Sequence, residues 1–314
     1  MKKKIPINKV GHVRIHSVLY GNELDRILTT IRHLNRAADL AIGAGAVASV
    51  TLVYGDSSPT PTFSKDDIES IRAQSPALAC VDYLFFDSNL GSAKGHNALL
   101  AYADEMTEAG TVTDHVLIMN PDVMLAPDAL IELVRPFQDP LTGIVEARQL
   151  PIEHPKDYDK STGETGWATT ACALIRMDVL HKLSGFDSES FFLYCDDVDF
   201  SWRARLNGYK VIYQPSAAVF HDKRLGPQGQ WAPTSSERYY SAEAALLMAY
   251  KYSRLDIVER LLKTFATSTE SHLNKAAESY IQRKKDGRLP EAIDAAGKVA
   301  HFEGDFYTKH RFGL

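Results

Sequence analysis

The sequence predicts an α/β protein with a mostly parallel central sheet flanked by helices, followed by a C-terminal helical subdomain. Apolar, strand-like runs alternate with amphipathic helical stretches through the first 234 residues, as in successive βαβ units. Several of these runs end in polar or glycine-containing loops, which is where open α/β sheets bind ligands. From Ser235 onward only helical periodicity remains. We therefore expect two units, residues 1–234 and 235–314.

Composition narrows the class of protein. The chain has 314 residues, 45% hydrophobic and 24% charged, enough for one large core or two modest ones. A net charge of −5 argues against a nucleic-acid partner, because nucleic-acid binders usually carry a strong basic face. No apolar run approaches the roughly 20 residues that span a bilayer, and the N-terminal lysines precede no signal-peptide apolar segment, so we expect a cytoplasmic protein.

The three cysteines predict neither a disulfide framework nor a structural zinc site. Their number is odd and they have no CxxC spacing, which favours buried, reduced thiols.

The periodicity places individual elements along the chain. Strands are predicted at residues 13–20, 48–54, 81–87, 114–119, 143–149, 167–176, 211–213 and 218–221. Helices are predicted at residues 23–40, 65–73, 128–134 and 177–183, then as one or two long helices over 236–265, and at 271–285 and 290–300.

Two loops at predicted strand ends have ligand-binding composition. YGDSSPTPT, residues 54–62, follows the second strand, and NLGSAKGHN, residues 89–97, follows the third. Gly91 and Gly95 leave backbone amides accessible near a helix N-terminus, which suits an anion or a diphosphate group. The glycine spacing fits neither a P-loop nor a dinucleotide-binding fingerprint.

The predicted buried strand at residues 114–119 stops at Asn120-Pro121-Asp122. Pro121 has no N–H for a sheet ladder, so it closes the strand and leaves Asp122 at the edge of the sheet. Asp122 is there either as an ordinary turn residue or as a metal ligand.

The stretch from residue 191 to 221 concentrates acidic and aromatic residues. The run FFLY predicts a strand, and Asp196, Asp197 and Asp199 predict the start of a helix that ends at Gly208. These carboxylates either stabilise the helix dipole or face a pocket, where repulsion and desolvation raise one pKa toward that of a general base.

In this order, the motifs YGDSS, NLGSAKGHN, NPD, ACALIR, FFLYCDDVDFSWR and a strand ending in His resemble family 2 glycosyltransferases of the GT-A fold. The resemblance covers residues 13 to about 224 and is greatest with bacterial rhamnosyltransferases and galactofuranosyltransferases. It implies that residues 1–234 form a catalytic domain for a nucleotide sugar and an acceptor.

The resemblance also implies a metal site. Asn120-Pro121-Asp122 matches the Asp-x-Asp position of the family, so Asp122 is the expected ligand of a divalent cation, with Asn120 in place of the first acid. His221 matches a histidine that completes the site in related galactofuranosyltransferases. One carboxylate, one imidazole and two diphosphate oxygens suit Mg²⁺ or Mn²⁺.

Asp197 matches the second acid of the family's Glu-Asp pair, which implies that it is the general base. Asp196 and Asp199 are expected to hold acceptor hydroxyls or the helix terminus, with Arg203 paired to them. Trp167 and Thr170 precede the acceptor-side strand, where an aromatic surface suits sugar C–H groups. A core tryptophan with satisfied threonines is the alternative for that segment.

The nucleotide site departs from the family's pattern. Tyr54 stands where the family has an acid near the base or ribose, and Asp56 lies two positions later. Either Asp56 recognises the base or Tyr54 stacks on it. The full set of residues expected to bind the nucleotide is Tyr54, Asp56, Ser57, Gly91, Lys94, Asn97 and Asn120.

These residues predict an inverting, metal-dependent glycosyltransferase that acts on a bacterial surface glycan, as an oligosaccharide or a lipid-linked acceptor. The first candidate donor is dTDP-rhamnose; UDP-hexose and UDP-galactofuranose are the alternatives. A nucleotidyltransferase would have a glycine-rich basic loop after the first strand, which residues 18–26 do not contain. A non-catalytic protein that binds sugar nucleotides or glycans is the alternative from another class.

The helical C-terminal unit has no catalytic motif. We expect it to pack on the catalytic domain and to contribute to a homodimer or to docking of a lipid-linked acceptor. Its basic cluster RKKDGR, residues 283–288, is either a peripheral membrane contact or a solvated face.

Overall fold

A computed structural model describes residues 10–110, 112–153, 155–223 and 232–308. The N-terminal lysines, residues 224–231 next to the predicted boundary between the two units, and residues 309–314 lie outside the described residues.

The strands of the described chain form one mixed sheet in the order β3-β2-β1-β4-β7-β6-β8-β5. They are β1 (Val10–Leu19), β2 (Val47–Asp56), β3 (Cys80–Phe85), β4 (His115–Met119), β5 (Val123–Leu125), β6 (Thr142–Leu150), β7 (Cys172–Arg176) and β8 (Lys210–His221). Strands β3, β2, β1 and β4 pair in parallel, as do β6 and β8, whereas β7 and β5 run antiparallel to their neighbours. The carboxyl ends of β1, β2 and β4 therefore meet at one edge.

Helices cover the faces of the sheet and form the C-terminal region. They are α1 (Leu24–Gly43), α2 (Lys65–Ala73), α3 (Gly91–Glu108), α4 (Ala129–Val134), α5 (Met177–Lys182), α6 (Asp196–Leu206), α7 (Ser235–Lys251), α8 (Leu255–Ala266) and α9 (Ser271–Lys285). Their starts follow local chemistry: Ser64 and Thr234 each form a capping box with the acid three residues later. The predicted α/β architecture with a helical C-terminal region is confirmed.

Three local predictions were wrong. Residues 290–300 are not helical, because Pro290 lacks an N–H and the Asp294 carboxylate accepts backbone N–H groups from residues 298–300, which closes a turn. The predicted strands at 211–213 and 218–221 are one strand, β8, with a register irregularity against β6. Strand β7 begins only at Cys172, so residues 167–171 are irregular backbone.

The C-terminal helices share a hydrophobic core with the helix that carries the acidic cluster. In this core, Phe191, Val198 and Trp202 from the acidic stretch pack with apolar residues of α7, α8 and α9. The Trp202 and Tyr252 rings meet edge to face with centroids 4.6 Å apart. The main core, by contrast, lies between α1, α4 and the sheet. The boundary between two domains stays a prediction, but the helices pack on α6 as expected.

Within the described residues, no helix combines the length and the apolarity needed to cross a membrane.

Buried histidines make the stability of the fold depend on pH. Burial lowers the pKa of His115 from 6.5 to about 4 and acts in the same direction on His16 and His96. In the unfolded chain a histidine gains its proton below about pH 6.5, whereas folded His115 gains it only near pH 4. The unfolded state binds more protons in that window, so the stability contributed by His115 is lost as the pH falls from 6.5 to 4.

We predict that His115→Gln reduces the acid destabilisation of the protein by about 1–3 kcal/mol between pH 7.5 and pH 4.5. His115 lies at the start of β4, where neither ring nitrogen has a hydrogen-bond partner among the described residues. Urea unfolding across this range measures the slope. His33→Gln, at an exposed position of α1, is the matched control. An equal slope in His115→Gln and the parent protein would contradict the prediction.

Candidate active site

Two residues with left-handed backbone conformation set the direction of the chain just before the acidic cluster. Tyr194 and Cys195, immediately before α6, have φ angles of 66° and 61°. Consecutive non-glycine residues in this region are strained and persist only where surrounding packing holds them, as at functional sites. The expected FFLY strand is absent: residues 191–195 form a bent loop, because this reversal cannot occur inside an extended strand. The loop delivers Asp196 and Asp197 to the first turn of α6.

Asp197 is held by backbone amides on both sides of its carboxylate. Val198 N–H donates to Oδ1 at 2.8 Å, and Thr170 N–H donates to Oδ2 at 3.4 Å. Burial raises the pKa of Asp197, and these amides together with the Lys156 charge act against that rise. Asp197 is half-buried as a residue, and these two amides orient its carboxyl group, as a general base requires.

Asp196 lies beside Asp197 in a drier setting. Its side chain accepts a hydrogen bond from the Ser92 hydroxyl at 2.8 Å. Burial and the neighbouring Asp197 charge raise the pKa of Asp196 to about 7. Two adjacent carboxyl groups titrate as a coupled pair, because ionisation of one disfavours ionisation of the other. The group that ionises first is the one whose carboxylate is better stabilised by hydrogen bonds. The pair therefore favours an ionised Asp197 and an Asp196 that retains its proton until near neutral pH.

The glycine loop expected to bind the diphosphate contacts the acidic loop directly. Ser92 N–H donates to the Phe192 carbonyl at 3.0 Å. Gly91 has a φ of 67°, and a Cβ there would overlap the Phe192 carbonyl oxygen and ring. Only glycine fits both the backbone angle and the close approach. The glycine loop and the acidic loop are therefore packed directly against each other.

Asp122 and His221 meet at the edge of the sheet. Val123 pairs with His221 across β5 and β8, and this register brings Asp122 Oδ1 within 3.2 Å of His221 Nε2. On the other side of the ring, Nδ1 lies 2.8 Å from Gln149 Oε1. In the neutral tautomer with its proton on Nδ1, the ring donates to Gln149 Oε1 and presents the Nε2 lone pair to Asp122.

This geometry fits a divalent cation. A neutral imidazole nitrogen and a carboxylate oxygen that face each other are two acceptors, which a shared cation stabilises. Adjacent ligand atoms of an octahedral Mg²⁺ or Mn²⁺ site lie about 3 Å apart, given bond lengths near 2.1 Å. The donor set of one carboxylate and one histidine suits either metal, and the contact of Gln149 with Nδ1 fixes the orientation of the ring. In the described chain, no group of three His, Cys, Asp or Glu side chains is arranged as a complete metal site, so remaining ligands would come from substrate and water.

Hydrogen bonds of the 170–171 segment link Asp197 to the turn that carries Asp122. Asn120 N–H donates to the Ala171 carbonyl at 2.9 Å, and Thr170, one residue earlier, donates to Asp197. The Asn120-Pro121-Asp122 turn and Asp197 therefore lie on either side of the 170–171 segment. Asn120 is partly buried at this junction, and its role toward the nucleotide stays a prediction.

Asp199 and Arg203 are not available to an acceptor, contrary to expectation. The Asp199 side chain has no exposed surface and binds Lys251 Nζ at 2.7 Å and Arg203 Nε at 2.8 Å. Arg203 also donates to the carbonyls of Leu183 and Gly185. The predicted pairing of Arg203 with an acid is observed, but it ties α6 to neighbouring backbone. Two residues along a helix turn the side chain by about 200°, so Asp199 points away from Asp197 and into the interior.

Trp167 is a core residue, the alternative left open by the sequence. It is 7% exposed, and its ring contacts Tyr307 and the Lys156 ammonium group. A sugar therefore cannot lie on its face. Thr170 remains partly exposed next to Asp197, so a role toward the acceptor stays a prediction there.

The expected stacking of Tyr54 on a nucleotide base is contradicted by its burial. The ring is 0% exposed and packs edge to face against Phe63. Asp56 is equally buried: its carboxylate accepts Thr62 N–H at 2.7 Å, Ser58 N–H at 2.9 Å and the Tyr83 hydroxyl. Burial acts to raise the pKa of Asp56, but these hydrogen bonds outweigh it and lower the pKa. Asp56 shapes the 57–62 loop rather than reaching a base itself.

Asn97 is also structural. Its side chain donates to the Phe186 carbonyl and accepts Phe186 N–H, both at 2.8 Å, which fixes the turn before the acidic loop. Lys94 is exposed on the first turn of α3, and Ser57 is buried where Leu90 N–H reaches its hydroxyl at 3.4 Å. For these two residues and Gly91, contact with the nucleotide remains a prediction.

Sequence reasoning missed four residues of the site. Ser92 and Gln149 contact Asp196 and His221, while Lys156 and Lys251 compensate buried acids. Ser92 lies within a motif that was identified, so its place after Gly91 was a usable signal. The other three act through contacts between distant parts of the chain, which no local pattern encodes.

Comparison with known proteins finds rhamnosyltransferases among the sequence relatives of this chain. The N-acetylglucosaminyl-diphospho-decaprenol L-rhamnosyltransferase of Mycobacterium tuberculosis is 29% identical over 43% of this chain and 57% of its own length. Rhamnosyltransferase WbbL of Escherichia coli K12 is 23% identical over 53% of this chain and 78% of its own. The chain thus matches little more than half of the mycobacterial relative. No protein-family model matches.

Solved structures match most of the chain. One match is the mannosyltransferase PcManGT of Pyrobaculum calidifontis in complex with GDP-Man and Mn²⁺. The superposition covers 91% of this chain and 86% of the PcManGT chain, with a TM-score of 0.54 and 17% sequence identity. This chain has the GT-A fold. GalNAc-T7 with UDP, GalNAc and Mn²⁺ matches 92% of this chain and 56% of its own, with a TM-score of 0.61 and 12% identity. The resemblance to bacterial rhamnosyltransferases and the GT-A fold are both confirmed.

We predict that Gly91→Ala lowers the free energy of unfolding more than Gly110→Ala does. Both glycines have positive φ, one beginning α3 and the other following it, but nothing lies within 4 Å of a Cβ at Gly110. Gly110→Ala therefore reports backbone strain alone, about 1–2 kcal/mol. Gly91→Ala adds the overlap with the Phe192 carbonyl. Denaturant unfolding measures both variants, and equal losses would contradict the described contact.

Proposed function

We propose that the protein is an inverting, metal-dependent glycosyltransferase that moves a sugar from a nucleotide diphosphate to a bacterial glycan acceptor. The observation that carries this proposal is the partly exposed Asp197, held by the Thr170 amide next to the turn that bears Asp122. A positioned base and a cation-binding pair on neighbouring strand ends are what the reaction requires.

Donor binding is assigned to the edge where β1, β2 and β4 end. The glycine loop at Gly91 and the Asn120-Pro121-Asp122 turn line this edge, where backbone amides and the start of α3 favour an anionic diphosphate. Asp122 and His221 would hold Mg²⁺ or Mn²⁺ there. A cation held there would supply positive charge against the negative charge that develops on the leaving diphosphate. The Mn²⁺ in the two solved structures named above supports this assignment.

Asp197 is assigned as the base. It takes the proton of an acceptor hydroxyl as that oxygen bonds to the anomeric carbon of the donor sugar. The bond between this carbon and the diphosphate oxygen breaks on the opposite face, so the anomeric configuration inverts. Asp196, whose pKa is raised to about 7 by burial and the Asp197 charge, limits the second negative charge beside the base.

Rhamnose from dTDP-rhamnose is the first candidate donor. The names of the mycobacterial and Escherichia coli relatives support a rhamnosyl group, and the former names a polyprenyl-diphosphate-linked acceptor. UDP-hexose and UDP-galactofuranose remain the alternative donors. A cytoplasmic location, a peripheral membrane contact and a homodimer are further predictions. A screen of nucleotide sugars for donor hydrolysis is the first experiment.

A non-catalytic sugar-nucleotide or glycan-binding protein is the second candidate. The observation that favours it is Asn120 at the position where the family has an acid, which removes one charge from the cation site. Calorimetry with dTDP and UDP, combined with the donor screen, distinguishes the two candidates. Tight binding without hydrolysis or transfer supports the binding protein.

We predict that Asp197→Asn lowers the transfer rate about 10²–10⁴-fold and leaves donor affinity nearly unchanged, because the amide cannot accept the proton. Product formation under saturating donor measures the rate, and calorimetry measures the affinity. Asp66→Asn, at an exposed position of α2, is the matched control. A wild-type rate in Asp197→Asn would rule out this base.

We predict that Asp122→Asn reduces the Mn²⁺-dependent part of nucleotide affinity at least about tenfold, because it removes the anionic ligand. Calorimetry of dTDP and UDP binding, with and without Mn²⁺, measures this effect. Asp128→Asn, exposed just before α4, is the control. If Mn²⁺ strengthens nucleotide binding equally in both variants, Asp122 is not a ligand.

A further inference from the structure

A lysine from the loop that follows β6 is buried against Glu146 and Trp167. The Lys156 side chain is 2% exposed, although it comes from a polar loop, and it forms an ion pair with Glu146 of β6, whose side chain is 0% exposed. Lys156 Nζ also donates to the Trp167 carbonyl at 3.1 Å and lies 4.0 Å from the Trp167 ring centroid.

This buried pair calls for an explanation other than stability. Taking two charges out of water costs several kcal/mol per ion, and apolar replacements of buried ion pairs are often neutral or stabilising. Glu146 is also left with Oε1 unpaired among the described residues. Burial accordingly raises the pKa of Glu146 to about 7, against the Lys156 charge.

The segment that Lys156 holds is the segment that contacts the base. After Trp167, Ala168 N–H donates to Ser201 Oγ at 3.0 Å, and this hydroxyl donates to the Asp197 carbonyl at 2.8 Å. Two residues further, Thr170 N–H donates to the Asp197 carboxylate. Residues 167–170 therefore connect the lysine to both the backbone and the side chain of Asp197.

Lys156 also supplies a positive charge where other neighbours are acidic or neutral. Asp196 faces Asp197 from its own helix, and the hydroxyl of Thr169 and the amide of Thr170 face it from residues 167–170. The Cys195 thiol precedes the pair, and burial together with the three aspartates raises its pKa, so it stays neutral. The charge of Lys156 lowers the pKa of Asp197 against the effect of burial.

We propose that Lys156 is a positioning residue, which holds residues 167–170 against Asp197 and supplies the positive charge that keeps this carboxylate ionised. The proposal rests on the proposed function, because it assigns a role toward the base of that reaction. Because its side chain is 2% exposed and is bonded to the Trp167 carbonyl, Lys156 acts through residues 167–170 and does not contact substrate.

The test compares Lys156→Met with Lys156→Arg and with Lys160→Met, an exposed lysine of the same loop. Donor saturation and the pH dependence of transfer are measured for each variant. Lys156→Met should shift the acid limb, the fall in transfer rate at low pH, to higher pH by about one unit. The transfer rate at low pH should therefore drop about tenfold, and the rate above the acid limb should drop less. Lys156→Arg should restore the profile, and Lys160→Met should match the parent. Glu146→Gln should move the limb downward, because it leaves the lysine charge uncompensated.

A second measurement does not depend on activity. Hydrogen exchange of the amides in residues 165–170 should accelerate in Lys156→Met and not in Lys160→Met, because the anchor of that segment is removed. If Lys156→Met transfers more slowly with an unmoved acid limb and unchanged exchange, the proposal is overturned. If Lys156→Met does not fold, the Glu146→Gln variant decides: a downward shift of its acid limb supports the proposal, and an upward or absent shift overturns it. If the parent protein neither transfers nor hydrolyses any donor, the proposed function fails alone, and hydrogen exchange still tests the anchoring.

Discussion

The buried charge of Asp199 constrains the whole site. Its carboxylate has no exposed surface, so it must be compensated from within, and Lys251, Arg203 and the Tyr252 hydroxyl do this at 2.7–3.1 Å. Removing one partner from such a group typically costs 3–5 kcal/mol. Lys251 and Tyr252 lie at the end of α7. The first turn of α6, and Asp197 with it, is therefore fixed relative to the C-terminal helices.

The same helix is held from three directions, which explains how the half-buried Asp197 keeps its orientation. Apolar residues of α7, α8 and α9 pack on Trp202, the glycine loop contacts Phe192, and the 167–170 segment bonds to Asp197. Each contact comes from a different part of the chain. Orientation fixed before substrate arrives needs no reorganisation during the reaction.

Much of this arrangement was predictable because motifs at strand ends are local. The turn at Asp122, the glycine loop and the start of α6 each follow from a few adjacent residues. The direction of each carboxylate was not predictable. Asp196, Asp197 and Asp199 look equivalent in sequence, but helix rotation sends Asp199 inward to a lysine of α7. The burial of Tyr54 and Trp167 likewise depends on packing by distant rings such as Phe63 and Tyr307.

The ion pair between α6 and α7 also bears on how such a chain can diversify. A C-terminal module that only rests on a catalytic domain can be exchanged for another with little effect on the reaction centre. Here Lys251 of α7 balances the charge of Asp199 inside α6. Any replacement helices would have to bring their own partner for Asp199.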